Sequence, residues 1–201
     1  MKSEIIPIRR ALISVSDKHN LSDLGKFLDG LSVEIISTGG TARYLKKYGL
    51  SVKEVSDLTG FPEVLNGRVK TLHPKVHAPI LFDRDDAVST KELKKMGSEA
   101  IDLVVVNLYP FETILRENAP RKNIIENIDI GGVALMRAAA KNFDHVTIIS
   151  DTKDYIELKK ELTMFRGCTR QKTREFFAGK AFSQTSYYDY LITGWFFSKK
   201  H

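Results

Sequence analysis

The sequence has very little cysteine and no long apolar run. Its single cysteine, Cys168, cannot form a disulfide within the chain, which favours a reducing, intracellular location. The same count excludes a Cys-x-x-Cys redox pair. No stretch approaches the roughly 18 apolar residues of a membrane helix, and residues 1–10 lack the apolar core of a signal peptide. We therefore expect a cytoplasmic protein without a membrane anchor.

What the sequence does contain suits one folded domain. Its 201 residues are 42% hydrophobic and 28% charged, which is ordinary for a globular chain with a real core. The net charge of +6 favours an anionic partner: a phosphorylated metabolite, nucleic acid or an acidic membrane. Because the positive charge is scattered and no nucleic-acid motif stands out, we expect neither a nucleic-acid nor a membrane partner.

Apolar runs and helical spacing alternate along the first 150 residues. Predicted strands cover residues 11–16, 33–37, 51–55, 103–107 and 145–150, with predicted helices at 21–31 and 42–48. Strands that are apolar nearly throughout are buried on both faces, as in parallel sheets. The pattern predicts an α/β fold, a Rossmann-like parallel sheet sandwiched by helices.

The remaining residues predict a C-terminal helical segment. Helices are expected at 154–165 and 173–197, and the second is rich in aromatic residues. We expect those aromatic side chains to pack against the sheet or against a second subunit.

Ligands of parallel sheets bind beyond the carboxyl ends of the strands. The first strand leads into Ser14, Ser16 and Lys18, which could hold an anion; equally, Asp17 or Asn20 could simply cap the next helix. The second strand leads into a Gly-rich turn whose glycines and hydroxyls favour a phosphate at a helix N-terminus over a plain turn. Its residues are Thr38, Gly39, Gly40 and Thr41.

The long connection after the third strand carries alternating basic residues. Arg68 and Lys70 point the same way in an extended segment, and Thr71 adds a hydroxyl; the alternative is a solvated basic loop. His73 and His77 have the i, i+4 spacing of metal ligands on a helix. Because no third ligand with a clear claim is near, we expect helix capping or loop ordering there and no metal site.

Two further segments carry candidate groups. Tyr109 follows the fourth strand, two residues past Asn107, and is either a site residue or a core-edge tyrosine. Asp129 precedes a Gly-Gly pair and an Ala-rich helix that runs to Lys141. The alternative for this charged pair is a favourable interaction with the helix dipole.

Together these segments resemble the cyclohydrolase domain of the bifunctional purine enzyme that also carries AICAR transformylase. The similarity extends from about residue 10 to about residue 197, and its last part is Lys180-Ala181-Phe182 with Thr185 and Tyr188-Asp189. The central matching segments are Ser14-Val15-Ser16-Asp17-Lys18, Thr38-Gly39-Gly40-Thr41-Ala42, Thr59-Gly60-Phe61-Pro62-Glu63, Gly67-Arg68-Val69-Lys70-Thr71-Leu72-His73-Pro74, Asn107-Leu108-Tyr109-Pro110-Phe111, Ile128-Asp129-Ile130-Gly131-Gly132 and Arg137-Ala138-Ala139-Ala140-Lys141-Asn142.

The resemblance implies a methylglyoxal-synthase-like fold and an IMP cyclohydrolase, a hydrolase-class enzyme of purine biosynthesis. Such an enzyme closes 5-formamidoimidazole-4-carboxamide ribotide (FAICAR) to IMP with loss of water, and the resemblance implies no cofactor and no metal. The implied catalytic residues are Lys70, Tyr109, Asp129 and Lys141. The implied substrate-binding residues are Ser14, Ser16, Lys18, Thr38, Gly39, Gly40, Thr41, Arg68, Thr71, Asn107, Gly131, Gly132 and Arg137.

One geometric difficulty is visible in the sequence. A straight helix over 131–141 would be about 16 Å long, which puts Asp129 and Lys141 near opposite ends. The two can share a site only if the helix begins late or bends, if the lysine reaches back, or if a second subunit contributes. We expect a homodimer.

The chain departs from this family in length and in one local feature. The family usually continues into a larger transformylase domain, so we expect a single cyclohydrolase domain over 1–201, with a core of about 10–150 and helices of about 152–198. We expect no transformylase activity, and a separate AICAR transformylase could be a partner. Ala78-Pro79 stands where a glycine is expected, which leaves the local loop geometry open.

Two other functions are compatible with the pattern. One is a methylglyoxal synthase acting on dihydroxyacetone phosphate, against which the segments at 68–74 and 107–111 argue. The other is a non-catalytic nucleotide-sensing domain, like the regulatory module of carbamoyl-phosphate synthetase, which would keep the phosphate loop but need no Lys70, Tyr109 or Asp129.

Overall fold

A computed structural model describes residues 4–65, 67–116 and 119–198. Its strands are β1 (Ile5–Pro7), β2 (Arg10–Val15), β3 (Glu34–Ser37), β4 (Val52–Glu54), β5 (Leu103–Asn107), β6 (Thr147–Ile149) and β7 (Cys168–Arg170). Its helices are α1 (Leu21–Gly30), α2 (Gly39–Lys47), α3 (Val55–Thr59), α4 (Pro74–Leu81), α5 (Ala87–Lys95), α6 (Phe111–Arg116), α7 (Arg121–Glu126), α8 (Gly131–Lys141), α9 (Tyr155–Met164) and α10 (Gln171–Ser198), with a 3₁₀ turn at Thr152–Asp154.

The centre of the molecule is a five-stranded parallel sheet in the order β4-β3-β2-β5-β6. Strands β2 and β5 lie in its middle, and their central residues, such as Leu12 and Val104, are completely buried. Burial on both faces explains the continuous apolar runs. The predicted fold class is confirmed, and all five predicted strands are present.

The strand order reverses between β2 and β5. From β2 the chain proceeds outward through β3 to β4, then returns to the other side for β5 and β6. Such a reversal opens a crevice at the carboxyl ends of the two central strands. Residues 14–18 and 107–109 stand at its mouth, because they include the carboxyl ends of β2 and β5 and the residues just after them.

A second, two-stranded sheet was not predicted. Strand β1 pairs antiparallel with β7, and Ile6 lies opposite Thr169. Each strand has only three residues, which is too short for a period-two pattern to stand out from the sequence. The helices α3, α5, α6 and α7 were also not predicted, since each has five to nine residues and lies in or beside the long connections. Helix α4 begins directly after His73, where helix capping was expected.

Helix α10 is the longest element, with 28 residues. Phe177, Tyr188 and Trp195 are buried, which confirms the packing prediction for those aromatic residues. Tyr190 and Phe197 remain exposed at 69% and 85%, so the aromatic stripe covers more than one face of the helix. Within the described ranges, neither α10 nor any other helix has the length and apolar character to cross a bilayer.

A buried arginine attaches α10 to the turn between α8 and β6. Arg174 is completely buried, and its guanidinium donates to the carbonyl oxygens of Phe143 (2.8 Å), Asp144 (3.0 Å) and Thr169 (2.6 Å). Burial lowers the pKa of Arg174 to about 10, which still leaves it charged at neutral pH. These bonds fix the C-terminal helix to the end of α8.

Candidate active site at the carboxyl edge of the sheet

Asn107 joins the ends of the two central strands. Its Oδ1 accepts from the backbone N–H of Ser16 (2.8 Å) and of Asp17 (3.0 Å), and also from the Ser16 hydroxyl (2.7 Å). Its Nδ2 donates to the Asp17 carbonyl oxygen at 3.0 Å. Both ends of the amide are therefore used inside the protein. Ser16 and Asn107 shape the floor of the crevice, a structural role that the sequence-based assignment as ligand contacts did not foresee.

The turn between β3 and α2 lies beside this floor. The hydroxyls of Ser14 and Thr38 are 3.2 Å apart, and the Lys18 ammonium donates to the Ser16 carbonyl oxygen at 3.2 Å. Helix α2 begins at Gly39, three residues before the predicted start, so both glycines belong to its first turn. The first N–H groups of an α-helix have no partner within the helix, which makes this turn suited to an anion.

Thr41 of the same turn is bonded to the main chain of β2. Its side chain is buried, accepts the Val15 N–H at 3.2 Å and donates to the Val15 carbonyl oxygen at 3.0 Å. These two bonds attach α2 to the end of β2. The hydroxyl proton is used in this bond, so Thr41 has a structural role in addition to the ligand contact that was predicted for it.

Glu63 lies against the same glycine turn and was given no role from the sequence. A Cβ on Gly39, whose φ is +42°, would be 3.2 Å from Glu63 Oε1, and a Cβ on Gly67 would be 3.5 Å from Oε2. The carboxylate thus lies near the positive end of α2, where a negative group is favourable. An anionic ligand at this helix end would compete with Glu63.

Asp129 precedes α8 and is held by the first turn of that helix. Its Oδ1 accepts the Gly132 N–H at 2.7 Å. A Cβ on Gly132 would be only 2.5 Å from Oδ2, so only glycine leaves room for the carboxylate. Burial raises the pKa of Asp129, while the Gly132 N–H and the positive charge of Lys70 lower it by less. The carboxylate is therefore more basic than that of an exposed aspartate.

Tyr188 of α10 also positions Asp129, and the sequence gave no signal for this role beyond a general packing aromatic. The buried Tyr188 hydroxyl accepts the Asp129 backbone N–H at 2.8 Å and donates to the Asn127 carbonyl oxygen at 3.1 Å. Burial is the main cause that raises the pKa of Tyr188, to about 12, so the hydroxyl keeps its proton.

The segment at 70–71 packs against the start of α8. Thr71 is buried, and its Oγ1 is 2.9 Å from the point where a Cβ on Gly131 would lie. This contact holds the segment so that the Lys70 charge acts on Asp129. The structure thus brings together Lys70, Thr71, Asp129 and the Gly-Gly pair. Tyr109 is 47% exposed and lies two residues past the end of β5.

Two predicted site residues, Arg68 and Arg137, have partners outside the crevice. Arg68 is exposed and forms a two-bond ion pair with Glu126 at the end of α7. Arg137 is exposed in the middle of α8, and its guanidinium carbon lies 5.3 Å from the centroid of the Phe182 ring. The structure does not bring Arg137 to the other site residues, because a cation–π contact holds it on α10.

Lys141 is the last residue of α8 and is exposed. The helix begins at Gly131, so a late start does not bring Lys141 nearer to Asp129. Within one chain the two residues flank opposite ends of an eleven-residue helix.

The two histidines of the long connection are separated by their environments. His73 is the N-cap of α4, and its Nδ1 accepts the Lys75 N–H at 3.1 Å, which confirms the predicted capping role. His77 is half-buried, and burial lowers its pKa. Its Nε2 has no hydrogen-bond partner among the residues that the structure describes.

Two family models match the chain. The MGS-like domain matches residues 20–134, and the AICARFT/IMPCHase bienzyme matches residues 139–201. The chain is 50% identical over 193 residues to the bifunctional purine biosynthesis protein PurH of Dinoroseobacter shibae, covering 96% of this chain and 36% of the relative. It is also 50% identical over 194 residues to PurH of a Thermoanaerobacter species, covering 96% of this chain and 38% of the relative. It thus spans little more than a third of the length of these relatives.

One solved structure matches this chain over nearly the full length of both. The crystal structure of ForH superposes with a TM-score of 0.81 at 34% sequence identity, covering 94% of this chain and 99% of ForH. The similarity therefore includes the parallel sheet and the C-terminal helix together. The chain belongs to the MGS-like domain family and is homologous to about a third of the bifunctional purine biosynthesis protein PurH.

Proposed function

We propose that this protein is an IMP cyclohydrolase that closes FAICAR to IMP with loss of water. The similarity to PurH over nearly the whole chain, together with the AICARFT/IMPCHase match, supports the reaction. The observation that carries the proposal is the Asp129 carboxylate, whose pKa is raised by burial and lowered to a lesser extent by the positive charge of Lys70. A base beside a cation is what this ring closure requires.

The reaction poses three chemical problems, although both reacting groups belong to one molecule. The carboxamide nitrogen is a poor nucleophile and must lose a proton. The formyl oxygen gains negative charge as the nitrogen attacks its carbon. The resulting hydroxyl group must then leave as water, while the formamide nitrogen loses its proton and forms the double bond to the new ring carbon. The site therefore needs a base, donors for an oxyanion and a proton source.

In the proposed mechanism Asp129 takes the carboxamide proton. Its Oδ1 is occupied by the Gly132 N–H, which leaves Oδ2 for the substrate. The Lys70 ammonium and the Tyr109 hydroxyl would stabilise the developing oxyanion, and either could return a proton to the leaving hydroxyl. Tyr188 fixes the main chain of Asp129 through its hydroxyl and so serves as a positioning residue.

The proposed nucleotide site is the glycine turn at the start of α2. The phosphate would accept from the N–H groups of Gly39 and Gly40, with Lys18 supplying positive charge and with the hydroxyls of Ser14 and Thr38 beside it. Glu63 would have to leave this helix end when the phosphate enters. Ser16, Asn107 and Thr41 would hold the shape of the crevice.

Arg68 and Lys141 have less defined places in the proposal. Arg68 lies two residues before Lys70 and could reach an anionic substrate only by giving up its ion pair with Glu126. Lys141 could act at Asp129 if a second copy of the chain supplied it. The exposed aromatic residues of α10 support an apolar surface for such a homodimer.

The homodimer can be tested by mixing two inactive variants. Asp129→Asn and Lys141→Ala each should lack activity, and their unfolded and refolded mixture should regain about a quarter of wild-type activity, because half of the random dimers carry one intact site of two. Light scattering would give the mass of each species. An inactive mixture, or a monomeric mass with full wild-type activity, would remove the shared site.

We further propose a cytoplasmic setting, in which a separate AICAR transformylase supplies FAICAR. Adding such an enzyme with AICAR and the formyl-folate donor should yield IMP only when this chain is also present. IMP formation from AICAR by this chain alone, with the folate donor, would contradict the separate supply.

The main assay uses purified protein and FAICAR without folate or added metal, with IMP followed by ultraviolet absorbance. Lys70→Ala and Asp129→Asn should lose turnover while their circular dichroism is unchanged. Asp29→Asn, an exposed carboxylate at the end of α1, is the matched control and should behave as wild type. Phosphate release from dihydroxyacetone phosphate would instead indicate a methylglyoxal synthase. Nucleotide binding without turnover would indicate a sensing domain.

A further inference from the structure

We propose that this protein has a binding site for a first-row divalent cation of the Zn²⁺ type, formed by His145, Asp83 and Asp85. The site lies at the amino end of β6, on the opposite edge of the sheet from the crevice. Asp83 and Asp85 belong to the connection between α4 and α5, and His145 to the turn between α8 and β6. A bound cation would link these two segments.

The distances among the three side chains fit ligands around a common centre. His145 Nε2 is 3.3 Å from Asp83 Oδ1 and 3.9 Å from Asp85 Oδ2, and the three ligand atoms all lie within 4.8 Å of one another. A direct charge-assisted N–H···O bond would be about 2.7–2.9 Å long. Ligands at about 2.0–2.2 Å from Zn²⁺ in tetrahedral directions stand roughly 3.4 Å apart. The 3.3 Å separation is close to the second geometry, and the exposed Asp85 side chain would move slightly from 3.9 Å to reach it.

The chemistry of the ligands suits this class of ion. A neutral imidazole with two carboxylates is a set that Zn²⁺ and its first-row neighbours accept, whereas Mg²⁺ and Ca²⁺ prefer oxygen ligands alone. His145 is only 8% exposed, so its ring is held in one place. The two aspartates are exposed, so the remaining coordination positions face water.

Bonds outside the cluster hold both segments in place. Asn142 Nδ2 donates to the carbonyl oxygens of Ile80 (2.7 Å) and Phe82 (3.0 Å), which fixes the connection before Asp83 to the end of α8. The Arg174 guanidinium donates to the carbonyl oxygens of Phe143 and Asp144, the two residues before His145. The ligands are thus positioned before an ion arrives, which reduces the ordering cost of binding.

The neighbouring arginine does not neutralise the two carboxylates. Arg84 lies between them in sequence, but its guanidinium donates to Asp102 Oδ1 at 2.8 Å and to the Ile101 carbonyl oxygen at 3.0 Å. Its positive charge is therefore directed to Asp102. The negative charge of Asp83 and Asp85 remains for His145 and for a cation.

Titration of the chelator-treated full chain with ZnCl₂ tests the proposal. Calorimetry should show one equivalent bound, and CoCl₂ should give the visible bands of a low-coordinate Co²⁺ site. At a hundredfold excess over the dissociation constant, Zn²⁺ should raise the melting temperature by about 5 °C or more. Absence of saturable Zn²⁺ binding would overturn the proposal.

Variants locate the ion. Asp85→Asn keeps the shape of an exposed side chain and should weaken Zn²⁺ binding at least about tenfold. Glu92→Gln, an exposed carboxylate on α5 outside the cluster, should bind as wild type. Wild-type Zn²⁺ affinity in Asp85→Asn would contradict the proposal. Loss of Zn²⁺ binding in His73→Asn would also contradict it, because the ion would then belong to His73 and His77. Zn²⁺ binding here is independent of the cyclohydrolase assay.

Discussion

The two ends of helix α8 are held by different kinds of contact. At the N-terminal end, side chains approach glycines: Thr71 contacts Gly131, and Asp129 contacts Gly132. At the C-terminal end, Asn142 and Arg174 donate to backbone carbonyl oxygens of the neighbouring segments. The first end therefore keeps groups with usable charge, whereas the second uses its polar groups to stabilise the fold.

This difference assigns separate tasks to one helix. Polar groups that are bonded to backbone carbonyls contribute stability, but they are not free to act on a ligand. The pKa of Asp129 is raised by burial, which costs stability. Its carboxylate accepts a single N–H, from Gly132, so one oxygen is kept free for chemistry. Substitutions at the two ends should therefore change different measurable quantities.

The largest expected effect is on catalysis, at the N-terminal end. Asp129→Asn should reduce turnover of FAICAR about a thousandfold, the scale of a lost general base. The free energy of unfolding in urea should stay the same or rise, because the variant buries no charge. A large loss of stability with turnover unchanged per folded molecule would break the comparison between the ends.

The next effect is on stability, at the C-terminal end. Arg174→Met should lower the free energy of unfolding by about 3 kcal/mol or more, since three carbonyl groups lose their donor and each such loss costs about 1–3 kcal/mol. Turnover per folded molecule should not change. Lys172→Met, on an exposed position of the same helix, is the matched control and should cost little. An effect of Arg174→Met on turnover alone would contradict the division of tasks.

Gly132→Ala tests how close the contact at Asp129 must be. The new Cβ would displace the carboxylate, so turnover should fall about 10- to 100-fold, which corresponds to about 1.4–2.7 kcal/mol in the barrier. Gly179→Ala in α10 is the control, because no atom lies within 4 Å of its added Cβ. That helix-interior change should stabilise the protein by about 0.5–1 kcal/mol. Wild-type kinetics in Gly132→Ala would show that turnover does not depend on the close contact between Asp129 and Gly132.

Glu63→Gln should give a smaller effect, on binding. Removing the negative charge beside the α2 N-terminus should lower the dissociation constant for IMP about three- to tenfold, equivalent to about 0.7–1.4 kcal/mol. The maximal rate should be unchanged, as measured by titration and steady-state kinetics. Weaker binding in this variant would instead make Glu63 a ligand-holding residue.

The smallest effect is a pH dependence of stability. The pKa of Asp129 is raised in the folded state, so between the ordinary aspartate pKa of about 3.9 and the raised value the folded state binds more protons. Stability contributed by this group therefore falls as pH rises through that window. Unfolding curves of wild type and Asp129→Asn should converge at low pH and separate above it. Parallel curves would exclude a raised pKa.

Much of the fold could be predicted from the sequence because the core strands are continuous apolar runs. The run at 103–107 coincides with β5, and the glycine turn at 39–40 lies where a phosphate site was predicted. The three-residue strands β1 and β7 could not be predicted, since their pairing joins residues more than 160 positions apart in sequence.

The candidate site was predictable in part. Lys70 and Asp129 were candidates from their positions, and the resemblance implied their catalytic roles. In the structure the Lys70 charge acts on Asp129. Tyr188 and Glu63 were missed because each acts through a contact that no local pattern reveals. The contacts of Arg137 and Thr41 could not be predicted for the same reason, as their partners lie on other elements.

The sequence by itself determined the strand and helix segments, the family and the identity of the groups that could react. These properties depend on local periodicity and on residue types. Only the tertiary structure decided which polar groups are already bonded and which remain available. Asn107 bonds Ser16 across 91 positions, and His145 pairs with Asp83 across four helices and strand β5. The packing of distant segments determines these partners. The hydrogen-bond donors and acceptors that remain unbonded after packing are the ones that can bind a ligand.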